Sequence, residues 1–197
     1  MEKAMTQAPA DPSRLTGLDR YLQRRRIAMA SRHIPSVAGV LDIGSYDGAL
    51  FTELPFLRDG VGVDPDADPS RQLPNATLVR GYFPEALPVG DARFDVITML
   101  AVLEHIPLEK QPSLARDCWA HLHPGGRVII TVPSPLVDKI LVVLTALRLV
   151  KGMALEQHYG YDVTQTEALF EAAGFRLLKR QRFQLGLNNL FVFERAV

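Results

Sequence analysis

The sequence predicts an α/β domain with an open, mostly parallel sheet and helices on both faces. Three observations predict it. Short runs rich in Val, Ile and Leu alternate along the chain with helical patterns. The first of them, around Val37, Val40, Leu41 and Ile43, leads into a turn holding Gly44 and Gly48, and then into a helix start. A later one, Arg127-Val128-Ile129-Ile130-Thr131-Val132, is a continuous apolar run, as in a strand covered on both faces.

Composition narrows the class. A chain of 197 residues fits one domain and can bury a substantial core. Its 47% hydrophobic and 22% charged residues are ordinary for a soluble globular protein. Lys+Arg and Asp+Glu both number 22, so nothing pulls the chain as a whole toward nucleic acid. One cysteine, Cys118, excludes an internal disulfide, and no metal-ligand constellation is evident. No apolar run approaches the roughly 18 residues of a spanning helix, and the N-terminus lacks a signal-peptide core. These features predict a cytoplasmic protein, with residues 1–12 frayed and residues 13–197 forming a single domain.

The elements follow in order. A helical period over residues 14–34 carries Leu15, Leu18, Leu22, Ile27 and Met29, and Pro35 ends it. Arg24-Arg25-Arg26 reads as a solvated face; the sharper reading lays this helix over the ligand mouth, with one arginine toward an anionic substrate. A short helix follows Gly48, with Pro55 near its end. Strands are expected at residues 60–64, 76–80 and 93–100, the last entered by a turn at Gly90-Asp91. An amphipathic helix is expected over residues 108–122, with Leu114, Cys118 and Leu122 in one row and His123-Pro124-Gly125-Gly126 as its stop. Residues 136–150 are apolar on most of a helical circumference but too short to span a bilayer, and they carry Asp138, Lys139 and Arg148. A lid or core helix, a wall of an apolar substrate pocket, and a membrane-surface or dimer contact all remain open there. Thr164 and Glu167 have the spacing of a capping box, and Gly174 stops that helix. Strands at residues 175–183 and 190–195 close the chain around a turn at 186–189.

The glycine turn decides the ligand class. A dinucleotide site requires G-x-G-x-x-G and a P-loop ends in Gly-Lys-Ser/Thr; neither is present. Asp42, two residues before Gly44, repels phosphate and suits a ligand with a cation or an amine. Asp64 ends the second strand about 20 residues beyond the turn, where a carboxylate holds a ribose diol. Asp66 and Asp68 read as turn residues.

Asp42-x-Gly44-x-Tyr46-x-Gly48 resembles motif I of the class I S-adenosylmethionine-dependent methyltransferases, D/E-x-G-x-G-x-G, with Tyr46 in place of the middle glycine. Phe94-Asp95-Val96-Ile97 and Val102-Leu103-Glu104-His105-Ile106 resemble a signature of their small-molecule branch, which includes enzymes acting on quinones and related ring or chain substrates. Leu122-His123-Pro124-Gly125-Gly126 resembles the L-x-P-G-G element, and the motifs fall in the family's order across residues 37–197. The resemblance implies a Rossmann-like seven-stranded sheet, six strands parallel and one antiparallel in a C-terminal hairpin. It implies S-adenosyl-L-methionine as cofactor, with Asp42, Gly44, Ser45, Tyr46 and Gly48 around it and Asp64 and Pro65 at the ribose. Tyr82 stands where the family often has an acid on the adenine amino group; Glu85 or a main-chain carbonyl is the replacement. Phe83 packs on adenine or in the core. Leu100 and Ala101 line the methionine end.

His105 and His158 are the candidate catalytic residues, as bases or as substrate-orienting groups. The acceptor is expected to be a small molecule, apolar or aromatic, with oxygen as the first choice of accepting atom. A non-catalytic binding protein of the same fold is the alternative, on the strength of Tyr46 and Tyr82. An NAD-dependent reductase is disfavoured by the glycine spacing.

Overall fold

The computed structural model describes residues 17–36, 38–87, 92–134 and 161–196. Seven strands form one sheet in the order β3-β2-β1-β4-β5-β7-β6. They are β1 (Val40–Ile43), β2 (Gly60–Asp64), β3 (Ala76–Arg80), β4 (Phe94–Leu100), β5 (Leu122–Pro133), β6 (Phe175–Phe183) and β7 (Asn188–Arg195). The pairs from β3 through β5 are parallel, and β7 runs antiparallel to both β5 and β6. Six strands therefore share one direction and β7 opposes them. Chain order reverses between β1 and β4, and in such a sheet the ligand crevice lies above the carboxyl ends of the strands at that point.

Helices cover both faces. Helices α1 (Gly17–Ala30) and α2 (Ala49–Glu53) pack on one, with Ile27, Met29, Leu50 and Phe51 meeting Val40, Val96, Ile129 and Val192. Helices α3 (Gln111–Ala120) and α4 (Gln165–Ala172) pack on the other, with Leu114, Cys118 and Phe170 meeting Leu41, Ile97, Ile130 and Phe193. Alternation along each strand sends Asp42 and Thr98 to the α1/α2 face, beside each other in register. The Phe170 and Phe193 rings stack at 4.9 Å and seal the α4 side. Among the described residues no helix is long and apolar enough to cross a membrane.

Several sequence expectations shift. The N-terminal helix ends at Ala30 and passes into a 3-10 turn, Ser31–His33. Helix α3 is shorter than residues 108–122. Leu114 and Cys118 are buried as the row predicted, but Leu122 pairs with Phe94 as the first residue of β5. His123-Pro124-Gly125-Gly126 is not a helix stop. It is an irregularity inside β5, where the register with β4 shifts between Phe94 and Val96. Gly125 has φ +75, and a Cβ on Gly126 would stand 2.8 Å from the His123 carbonyl oxygen, so these glycines let the strand bulge without leaving the sheet.

Thr164 makes no capping bond. Asp162 Oδ1 accepts the Thr164 N–H instead, at 2.9 Å, and Glu167 lies 3.7 Å from Arg180. The hairpin turn falls at residues 184–187, because Gln184, Leu185 and Gly186 take the left-handed conformations; Asn188 and Asn189 are buried strand residues. The expected helix at 136–150, His158 and the Gly90-Asp91 turn lie outside the described residues.

Candidate active site

The turn after β1 is built by close approach. Gly44 donates its N–H to the Val63 carbonyl oxygen at 2.8 Å, binding the turn to β2. Its φ is +78, and a Cβ there would lie 2.3 Å from Val102 Cγ2. The loop after β4 thus presses directly on the turn after β1. Gly48, at φ +67, would place a Cβ 2.6 Å from Leu73 Cδ1. In β2, a Cβ on Gly62 would fall 2.5 Å from Ser45 Oγ, so this strand is thinned to admit the turn. Ser45 Oγ is buried and has no hydrogen-bond partner among the described residues.

Tyr46 keeps the backbone of the glycine it replaces, at φ +43. Its N–H donates to the Asp64 carboxylate. Asp64 Oδ1 also accepts the Asp66 N–H at 2.8 Å. Burial raises the Asp64 carboxyl above its ordinary value, and these two amide bonds hold it back.

Asp42 is only 5% exposed. Burial is the main cause that pushes its carboxyl up to about 7, with smaller contributions from Asp64 and Asp47. Thr98 Oγ1 donates to Asp42 Oδ1 at 2.6 Å and opposes the rise. Asp47 accepts the Ala49 N–H at 3.1 Å, at the head of α2. Three carboxylates therefore bear on one small crevice, and the charges of Asp64 and Asp47 add to the rise at Asp42. A cationic ligand relieves that repulsion, and a phosphate aggravates it.

The adenine-end candidates are spread out. Tyr82 is 73% exposed. Phe83 packs on the core beneath β4, with its ring edge-on to His121 at 5.2 Å. Pro65 and Glu85 are exposed. At the other end, Leu100 packs toward the α1/α2 face. Ala101 takes φ +62 and donates its N–H to the Thr131 carbonyl oxygen at 2.8 Å, which turns the chain sharply out of β4.

The segment after that turn is a short 3-10 turn, Leu103–His105. Its Leu103 and Glu104 are buried and His105 is exposed. Gln111 Nε2 clamps it from α3, donating to the Leu103 carbonyl oxygen at 3.2 Å and to that of Ile106 at 2.9 Å. Sequence reasoning passed over Gln111, which stands at the head of α3 only five and eight residues beyond its partners. It also passed over Tyr161, whose phenol is raised mainly by burial, with a smaller contribution from the charge of Glu104. Among the described residues no group of three or more His, Cys, Asp and Glu is placed to hold a metal ion.

A family model described as a methyltransferase domain matches residues 15–180. The chain belongs to the methyltransferase family. It is a class I, S-adenosylmethionine-dependent methyltransferase by family and by sheet order. No curated protein matches it in sequence. Solved methyltransferase structures share its fold at low identity. The 1,6-didemethyltoxoflavin-N1-methyltransferase of Burkholderia thailandensis, solved with 1,6-didemethyltoxoflavin and S-adenosylhomocysteine, is 20% identical with a TM-score of 0.66. That match covers 91% of this chain and 80% of that one. The N-methyltransferase NodS of Bradyrhizobium japonicum is 14% identical with a TM-score of 0.65, covering 91% of this chain and 99% of that one.

Proposed function

We propose that this methyltransferase binds S-adenosyl-L-methionine in the crevice above β1 and β4 and transfers its methyl group to a small-molecule acceptor. The observation that carries the reading is the glycine turn ringed by Asp42, Asp47 and Asp64, a site whose chemistry calls for a cation. The residues present fit the cofactor. Gly44, Gly48 and Gly62 leave room where side chains would collide, and Ser45 Oγ is a buried hydroxyl in need of a partner. Asp64 would take the ribose hydroxyls, with Pro65, Tyr82 and Phe83 toward the adenine and Leu100 and Ala101 toward the methionine. Tyr46, already in a glycine-like conformation, leaves the backbone path of the turn intact. That favours the enzyme over a non-catalytic protein of the same fold.

When bound, the cofactor supplies an electrophilic methyl carbon on a sulfonium. The chain's own task is placement. The acceptor's lone pair must lie in line with the breaking carbon–sulfur bond, and holding reactants so contributes about 7–11 kcal/mol. His105, at the loop that leaves β4, is the described candidate to take or orient the acceptor's proton; His158 is the second candidate. The acceptor is small and apolar or aromatic. The small molecule solved with the Burkholderia thailandensis relative supports that class.

Calorimetric titration with S-adenosylmethionine and S-adenosylhomocysteine tests the reading. Micromolar binding is expected for the wild type. Asp64→Ala is expected to weaken it at least about tenfold, the worth of a charge-assisted hydrogen bond. A folded wild type that binds neither compound would refute the proposal.

A further inference from the structure

We infer that Thr98 is a positioning residue for the cofactor: its hydroxyl holds the Asp42 carboxylate, and Asp42 so held meets the cationic end of S-adenosylmethionine. The inference rests on the methyl-transfer reading above. It adds a residue of β4 that acts through Asp42 and touches neither cofactor nor acceptor.

The sheet brings the pair together. Register places Gly62, Asp42, Thr98 and Ile129 in one row across β2, β1, β4 and β5. Residues paired in this way face the same side of the sheet, here the side of α1 and α2. Gly62 has no side chain, and Ile129 has no polar atom on its own. Ser45 Oγ lies above Gly62 but has no hydrogen-bond partner, so it gives nothing to Asp42. Thr98 does. Its one proton has two acceptors within reach, Asp42 Oδ1 at 2.6 Å and the Leu41 carbonyl oxygen at 3.4 Å. The shorter bond takes the proton, and its length is that of a hydroxyl on an ionised carboxylate, about 2.5–2.7 Å. Thr98 is fully buried, so bulk water does not compete for it.

Isolation gives this bond its weight. The charges that bear on Asp42 are Asp64, at the end of β2, and Asp47, in the turn, and both are negative. Between α1 and α2, Arg24 and Glu53 pair with each other at 2.9 Å. Those helices cover this face of the sheet with Ile27, Leu50 and Phe51. A buried carboxyl among negative charges keeps its proton, and a donor to the charged form favours the ion. Thr98 is that donor and opposes the effect of burial. With Oδ1 committed to Thr98, the charge open to a ligand lies on Oδ2. Removing the hydroxyl leaves the shape of the site nearly unchanged. It frees the carboxylate to turn, and it lets the proton compete with the cofactor's cation over a higher range of pH.

The test measures S-adenosylmethionine affinity by calorimetry between about pH 5.5 and about pH 9. Wild-type affinity is expected to rise with pH through about 7. Thr98→Val keeps the size of the side chain and is expected to move that rise upward by about one pH unit. Binding then weakens about tenfold near neutral pH and returns to within about threefold of the wild type at the alkaline end. Thr98→Ala removes the same hydroxyl and gives the same displacement should valine prevent folding. Thr98→Ser keeps the hydroxyl and should restore the wild-type profile. In an Asp42→Asn background the Thr98 substitutions should change nothing further, because the group they act through is gone. The cofactor's own amine titrates alike in every comparison. The 13C shift of the Asp42 carboxyl in the free protein should follow the same displacement. An unchanged profile in Thr98→Val and Thr98→Ala overturns the inference and leaves the cofactor site standing. So does a loss of affinity that is equal at every pH, which marks a merely structural role. A folded wild type that binds no cofactor overturns both readings.

Discussion

The crevice has two halves made in different ways. The half between β1 and β2 is built from backbone: glycines at positive φ, amides donating to Asp64, and carboxylates at strand ends. The half between β4 and α4 is built from side chains that bond to neighbours only a few residues away in the chain. Gln111 reaches back to Leu103 and Ile106, and Tyr161 meets Thr166 near Glu104. The first half has a fixed main-chain shape, bonded to β2 and pressed by the loop after β4. The second is held by side chains, which can be exchanged without disturbing the sheet.

The contrast can be broken most forcefully at Gly44. Gly44→Val adds a side chain at φ +78 where even a Cβ would be 2.3 Å from Val102. Both halves should suffer, because this contact joins them. Loss of several kcal/mol of stability is expected, of the size of overpacking plus backbone strain. Chemical denaturation would measure it, and wild-type stability would show that the turn and the β4 loop do not press together as described.

Asp42→Asn separates charge from shape in the cofactor half. The Asp42 carboxyl is raised from 3.8 to about 7 in the folded protein. Between those values the folded state holds a proton that the unfolded state has lost. Stability from this group is thus greatest at low pH and falls as pH rises through about 7. The neutral variant should melt higher than the wild type at pH 8, by an amount on the order of 4 kcal/mol at most, and the gap should narrow toward pH 4. Its affinity for S-adenosylmethionine should be weaker at pH 8 and lack the wild type's gain through neutral pH. Parallel melting curves at every pH would show that Asp42 is not the group responsible.

Gln111→Leu addresses the other half alone. It frees two carbonyls at the Leu103–His105 turn and should cost about 1–3 kcal/mol. Turnover should fall while cofactor affinity stays at the wild-type value. Equal loss of both would mean that the halves are not separable. Tyr46→Gly should have the smallest effect. It relieves a non-glycine residue at φ +43, and about 1 kcal/mol of strain relief is offset by the greater freedom of glycine in the unfolded chain. A melting shift within a few degrees is expected, with cofactor binding retained. Loss of binding would give the Tyr46 ring a direct part in the site.

The two halves were also unequally legible before folding. Strands Gly60–Asp64 and Ala76–Arg80 fell where the apolar runs placed them. The His-Pro-Gly-Gly run misled, because a stop after a helix and a kink within a strand make the same demand on backbone angles. Only the pairing of Leu122 with Phe94 separates them. The Thr164–Glu167 spacing misled because Asp162 could reach the Thr164 amide, while Glu167 was drawn to Arg180.

The sequence by itself determined the sheet and the glycine turn between β1 and β2. Strand periodicity and the steric needs of glycine turns are local properties, written into neighbouring residues. Tertiary structure alone decided the raised Asp42 carboxyl, the bond it accepts from Thr98 and the close approach of Val102 to Gly44. Desolvation and hydrogen-bond direction depend on what lies across a contact, and the chain acquires those neighbours only when the sheet has closed under its helices.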